Sequence, residues 1–186
     1  MTESELHSLG LASHGLNVFI SRKASIYGAE RIHLGNNVRI DDFSILSAGE
    51  GGIFLHDYVH VASHSILVGK ERIEMCDFSG VSARVCIYSS SDDYSGAALT
   101  NPTVPPEFTA VKHAPVRLGR HAIVGAGTVI LPGVTLGDGV AVGSLALVTR
   151  DCADFGIYAG VPARRIGDRG RQLLALEEQL ANMDRV

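Results

Sequence analysis

At 186 residues, with a net charge of −4 and a pI of about 6.0, the chain has room for one ordinary domain and a small appendage, and its charge does not suit a polyanion-binding surface. Apolar residues make up 46% of it, aromatic ones only 6%, and there is no Trp; a core of Val, Ile, Leu and Ala with 21 Gly suits many short strands better than packed helices. Cys76, Cys86 and Cys152 are too few and too scattered for a disulfide framework or a metal site, which fits small buried hydrophobes in a reducing cytosol.

Taken in chain order, residues 1–17 read as an arm or short helix. The first twenty residues lack a basic stretch followed by an apolar run, and no segment is long and apolar enough to span a bilayer, so a soluble cytoplasmic protein is expected. From Ile20 onwards an aliphatic residue returns about every sixth position. Ile20 and Ile26 start the beat, followed by the triplets Leu34, Ile40, Leu46, then Leu55, Val61, Leu67, then Met75, Val81, Ile87. After an interruption it runs without a slip through Leu118, Val124, Ile130, Leu136, Val142 and Val148. Gly119, Gly125, Gly137 and Gly143 stand directly behind four of these. Four places after each of the first five comes a small or β-branched residue: Ala122, Thr128, Val134, Val140, Ala146. Neither the helical period of 3.6 nor the strand period of 2 produces this pattern. Three hexads, about eighteen residues, make one coil of a parallel β-helix in which each aliphatic residue points into a narrow shared core. Glycines and asparagines in phase, as in "LGNN" and "LGDG", are expected to supply the positive φ of the corners.

Two segments leave the beat. Residues 89–117 are polar and Pro-containing, and an excursion of that length in a compact repeat protein is usually functional. In the tail, "DRGRQLLALEEQLANMD" carries Leu173, Leu176, Leu180 and Met183 on one stripe, with Asp168 as N-cap. Residues 168–186 are therefore expected to form a helix that caps the open end of the solenoid or packs on a neighbouring subunit, leaving residues 18–167 as the solenoid domain.

These hexads, the excursion ahead of the last coils and the terminal "VTRDCADFGIYAGVPARRIG" resemble the left-handed β-helix acyltransferases of the galactoside and maltose acetyltransferase type. "IDDFSILSAGEGG" together with "IYSSSDDYSG" and "TNPTVP" further resembles the branch that acts on nucleotide-linked amino sugars, with GDP-perosamine N-acetylation the nearest reaction. The resemblance implies an all-β solenoid of left hand, although the periodicity itself gives no exception to the right-handed rule for parallel crossovers. It also implies a homotrimer with an active site in each groove between prisms, acetyl-CoA as co-substrate, no metal, no nucleic-acid partner, and a role in surface-polysaccharide (O-antigen) assembly. Matched motif by motif, the coenzyme A contacts fall on Ala126 in "VGAG", Ser144 in "VGSL", Thr149 and Arg150 in "VTRD", and Arg164 in "VPAR". Amides at Gly-rich corners suit pantetheine, and the arginines suit phosphates.

In the galactoside-type enzymes a catalytic His ends the strand that leads into the excursion; here Asp92 stands in its place. A sugar hydroxyl needs a general base poised near neutrality, and a carboxylate is weak in that role. A neutral amine is itself nucleophilic and needs mainly orientation and an outlet for its proton. The exchange favours an amine acceptor, with Asp92 or Asp93 holding the ammonium or taking the proton. His113 in "VKHAPV" and His64 in "VASHSIL" are the other catalytic candidates, and His60, Asp93 and Asp41 are candidates for contacting the acceptor. His56, His60 and His64 lie around corners and make no convincing metal set. His121, beside Gly119, is placed to face the same groove, while His7, His14 and His33 read as surface residues. The leading reading is acetyl transfer to the amine of a nucleotide-linked deoxy-amino sugar. O-acetylation of a sugar hydroxyl with a His base and a non-catalytic structural β-helix stay open beside it, whereas a zinc hydrolase would need three convergent histidines that the sequence does not supply.

Overall fold

The computed structural model describes residues 1–183, so residues 184–186 of the expected terminal helix lie outside it. The chain winds as a parallel β-solenoid with three faces. The first face stacks Phe19–Ile20, Arg39–Ile40, His60–Val61, Gly80–Val81, Ile123–Val124, Ala141–Val142 and Gly156–Ala159 in parallel, and ends with the antiparallel Arg164–Asp168. The second stacks Ser25–Tyr27, Ile45–Ala48, Ile66–Gly69, Cys86–Tyr88, Val129–Ile130 and Leu147–Val148. The third stacks Ile32–Leu34, Ile53–Leu55, Ile73–Met75, Val116–Leu118 and Thr135–Leu136. Like hexad positions pair in register: Ile40 beside Val61, Leu46 beside Leu67, Leu34 beside Leu55. Every residue of the beat is buried except Ile26, which packs half-buried against the core, and the companions Ala122, Thr128, Val134, Val140 and Ala146 are buried as well. Cys76 and Cys152 are buried and Cys86 half-buried; burial pushes the Cys152 thiol up to about 11, as suits an inert packing residue. Among the described residues no helix is long and apolar enough to cross a membrane.

The corners depart from the sequence expectation. Asn37 of "LGNN" and Gly139 of "LGDG" do take positive φ, but so do eight bulky corner residues. Phe43, His64, Arg84 and Leu145 form one left-handed column between the first and second faces, and Tyr58, Phe78, His121 and Phe155 form another between the third and first. The in-phase glycines answer a different demand. A Cβ at Gly119 would stand 2.6 Å from the Gly137 carbonyl carbon and 2.7 Å from the Asp138 nitrogen of the next coil. Close stacking excludes a side chain there. Between the first and second faces the same economy recruits hydroxyls: buried Ser44, Ser65 and Thr128 donate to the carbonyls of Ala62, Ser82 and Gly143 at 3.0, 3.1 and 3.0 Å.

The two ends are closed differently. The first helix, α1 (Glu3–Ser8), is fixed by a capping box between Thr2 and Glu5, and its Leu6 (2% exposed) plugs the first coil. Arg22 pairs with Glu5 at 2.8 Å and, with the Thr2 amide, holds that carboxyl down to about 2. At the far end Asp168 is no helix cap. It lies in a strand that turns back to satisfy the edge of the last rung, which is the covering task the sequence reading gave to the helix. The terminal helix α2 (Gln172–Met183) instead lies along the corner between the third and first faces, over Tyr58 and Phe78. There Glu177 meets both Arg120 and His121, and Leu173 and Leu180 are half-buried while Leu176 and Met183 stay exposed.

Two outcomes are expected. Gly119→Ala should cost about 1–3 kcal/mol in denaturant unfolding by forcing coils apart, whereas Gly167→Ala, with open space around it, should not. Glu5→Gln should lower the melting temperature at neutral pH. Because the folded-state pKa is depressed, that difference should persist down to about pH 4.5 and vanish towards pH 2.

Candidate functional site

The chain leaves the solenoid after Cys86–Tyr88, at the corner between the second and third faces, and the excursion is folded rather than structureless. Ser90–Ser91 pairs antiparallel with Lys112–His113, Leu99 bridges Thr109, and Pro106–Phe108 forms a 3-10 turn. The stem is fastened to the coil below. The Lys70 amide donates to Ser90 Oγ at 2.8 Å, Ser90 Oγ pairs with His113 Nδ1 at 2.8 Å, and Ser89 Oγ donates to the Glu71 carbonyl at 2.7 Å. Under this loop lies a cavity of about 620 Å³ lined by Lys70, Asp92, Asn101, Pro106, Val111 and His113. A second groove of about 340 Å³ follows the same corner from Lys70 to Gly49, Glu50 and Arg31. A carboxylate, an imidazole and an ammonium group thus share one concave surface. Such a site can accept a proton at Asp92 or His113, and Lys70, whose ammonium lies 3.5 Å from Glu50 Oε2, can meet an anion by exchanging that partner.

Asp93, adjacent to Asp92, is spent on the loop itself. Its carboxylate accepts from the Ser95 amide (3.0 Å), the Ser95 hydroxyl (2.9 Å) and the Ala97 amide (3.0 Å), and these bonds hold it below the usual carboxylate range. The other candidates lie elsewhere. At the corner between the first and second faces, His60 Nε2 meets Asp41 Oδ2 at 2.8 Å and Arg39 Nε meets Oδ1 at 2.7 Å. Burial alone would raise the Asp41 carboxyl, but the bonds from His60 and Arg39 outweigh it and keep it low. His64 is exposed at the same corner, its ring 5.0 Å from that of Phe43. Ala126 and Ser144 follow on lower coils of that corner. Thr149 and Arg150 are exposed at the other edge of the second face, on the corner that carries the excursion, and Arg164 is exposed on the last strand.

Within one chain the candidates therefore divide. Asp92, His113, Thr149 and Arg150 follow the second face, and Asp41, His60, His64, Ala126 and Ser144 precede it. His121 faces no groove: it pairs with Glu177 at 2.7 Å and stacks on Phe78 with ring centroids 5.0 Å apart. Sequence reasoning missed Lys70 and Ser90. Ser90 lay inside the polar excursion with nothing to single it out, and the only signal for Lys70 was its place in "VGKE", at the corner one coil before the excursion.

Residues 115–150 match the model of the bacterial transferase hexapeptide (six repeats). The chain is 47% identical over 177 residues to the dTDP-4-amino-4,6-dideoxy-D-glucose acyltransferase of Escherichia coli, covering 95% of this chain and 92% of that protein. AntD, an N-acyltransferase from Bacillus cereus solved with dTDP and 3-hydroxybutyryl-CoA, superposes with a TM-score of 0.96 at 43% identity, over 100% of this chain and 98% of that one. AntD has also been solved with substitutions at one serine and at an aspartate ten residues further on. A maltose O-acetyltransferase from Clostridium difficile 630 shares the fold alone, with a TM-score of 0.58 at 20% identity over 91% of this chain and 75% of that one. Repeat, excursion and near full-length identity agree: this chain belongs to the hexapeptide-repeat acyltransferases.

Proposed function

We propose that the protein transfers a short acyl group from an acyl-CoA to the 4-amine of a dTDP-linked 4-amino-4,6-dideoxyglucose. The observation that carries this reading is the 47% identity, over 95% of the chain, to an enzyme of that acceptor. The sequence left the nucleotide open, with GDP-perosamine N-acetylation as the nearest reaction; the dTDP bound by AntD supports a dTDP-linked sugar. Three Ser–Asp pairs in this chain have the ten-residue spacing of the AntD substitutions. In two of them the carboxylate serves the backbone, Asp57 accepting from the Asn36 amide at 2.7 Å and Asp154 from the Asp138 amide at 2.9 Å. The third is Ser82–Asp92, with Asp92 on the cavity wall.

The chemistry follows from the acceptor. The neutral amine attacks the thioester carbonyl carbon, the new C–N bond forms, the C–S bond breaks, and the thiolate leaves as coenzyme A. The proton released from nitrogen passes to Asp92, with His113 as the neighbouring relay. A carboxylate suffices because it takes a proton that the forming amide has already made acidic. Lys70 supplies the positive charge for the sugar nucleotide's diphosphate.

The division of candidates between two corners supports a three-fold assembly in which the excursion corner of one chain faces the Ser82–Ala126–Ser144 corner of the next. Coenzyme A would then lie between Ala126 and Ser144 on one side and Thr149 and Arg150 on the other. Such a head-to-tail contact closes on itself as a ring.

Thiol release should be seen with dTDP-4-amino-4,6-dideoxyglucose and acetyl- or 3-hydroxybutyryl-CoA, and Asp92→Asn should lower kcat by about 10²–10⁴ with little change in KM for the acyl-CoA. Turnover with hydroxyl sugars alone would overturn the reading. A further outcome tests the assembly. Asp92→Asn and Ser82→Phe should each be inactive, and their co-expression should restore up to about one quarter of the activity, the share of mixed sites with both corners intact.

A further inference from the structure

Away from the acyl-transfer cavity, three donors converge where α1 meets the first coil. Glu3 and His7 stand one turn apart on α1, and His14 approaches from the segment that leads into the solenoid. His7 Nε2 lies 3.7 Å from Glu3 Oε1 and His14 Nε2 lies 4.0 Å from the same oxygen; the two imidazole rings are 5.3 Å apart, edge to face. Among the described residues this is the set of three or more His, Cys, Asp or Glu whose ligand atoms lie within 4.8 Å of one another.

We infer that Glu3, His7 and His14 form a site for a divalent transition metal ion of Zn²⁺ type, unrelated to acyl transfer, that ties the N-terminal helix to the coil it covers. Three observations carry this. The first is spacing: an ion with bonds of about 2.0–2.1 Å in tetrahedral geometry needs donors about 3.3–3.4 Å apart. Each histidine therefore needs to close on the Glu3 oxygen by less than an ångström, and the two imidazoles, whose donors lie within 4.8 Å, by about 1.5 Å at most. The second is the tautomer of His14. Its Nδ1 lies 3.1 Å from the Gly15 carbonyl oxygen, which can only accept, so Nδ1 carries the hydrogen and the lone pair of Nε2 is left facing Glu3. A backbone carbonyl behind the distal nitrogen is the usual support of a metal-bound histidine. The third is preorganisation. The His14 side chain is 15% exposed and held in place, whereas Glu3 (72%) and His7 (73%) sit on the outer face of a capped helix and are free to adjust. Two imidazoles and one carboxylate leave the fourth position to water, and that donor set suits zinc better than calcium or magnesium.

The mechanical consequence is local. Helix α1 has six residues and is anchored by Leu6, by the Glu5–Arg22 pair and by the Met1 ammonium, which donates to the Ile20 carbonyl at 2.6 Å. An ion bound to two helix residues and to His14 adds a clasp from outside the core.

The test is calorimetric titration of ZnCl₂ into the full chain, prepared without an affinity tag and stripped with chelator. One zinc per chain should bind with a rise in melting temperature, and both His7→Ala and Glu3→Gln should weaken binding at least tenfold. Both residues are exposed, so neither change threatens folding, and His56→Ala should leave the titration unaltered. Absence of saturable binding would overturn the inference. So would binding that survives His7→Ala, which would put the ion on other surface histidines.

Discussion

Adjacent coils approach until a single methyl group would separate them. A Cβ on Gly35 would stand 2.7 Å from the His56 carbonyl carbon, and one on Gly119 would stand 2.6 Å from that of Gly137. At this distance parallel hydrogen bonds run unbroken from coil to coil, and register admits no slip, because a one-residue shift would turn the whole aliphatic beat outwards. The rest of the architecture follows. Each corner stacks on the corner below, so left-handed residues line up in columns and their side chains meet, as Tyr58, Phe78 and His121 do at 4.7 and 5.0 Å between rings. Buried hydroxyls face buried carbonyls one coil away.

The same constraint decides where chemistry can be placed. The faces cannot change length, so variation is confined to corners. The corner after the second face already widens at 49–52 and 69–72 before opening into residues 89–117. The loop is rigid where it matters, because Ser89 and Ser90 fasten its stem to the coil carrying Lys70 and Glu71. Asp92 lies two residues from that anchor. A backbone held by a fixed stem loses little conformational freedom when the cavity fills, which is the form of preorganisation that a loop ordinarily lacks.

The fold was legible in the sequence because each inward residue repeats a geometric demand. Leu118 through Val148 kept the beat, and every member is buried. The glycines behind them were also visible, but their cause was misread: at Gly119, Gly125 and Gly137 it is coil spacing, not positive φ, that requires them, whereas Gly143 has room for a Cβ. The corners themselves were not legible. Phe43, Tyr58, His64, Phe78 and Leu145 take left-handed backbone because stacked neighbours compensate the strain, and local propensity carries no trace of that compensation. Asp168 looked like a helix cap because the sequence does not show that the last rung's open edge recruits the following residues as a strand. Asp92 stood out as a departure from a pattern, and His113 by its place in "VKHAPV" near the end of the excursion. Lys70 did not, since a lysine at a corner resembles any solvated charge until the loop closes over it.

The remaining feature is the distribution of polar groups between two corners. A cavity that already holds Asp92, His113 and Lys70 has no use for the His60–Asp41 pair on the far side of the second face, nor for the exposed His64 beside Phe43. If one chain were sufficient, those groups would be ordinary surface and the exposed Phe19, Phe43, Ile123 and Leu145 along the first face and its corner would face water. They form two groups, Phe19 and Phe43 on the first coils and Ile123 and Leu145 on later ones, with Arg39, His60, His64 and Arg84 between them. Exposed apolar groups rimmed by charge suit an interface. The solenoid's rigidity makes the consequence strong: two corners fixed across one face cannot fold towards each other. Any reaction that uses both must bring them from different chains.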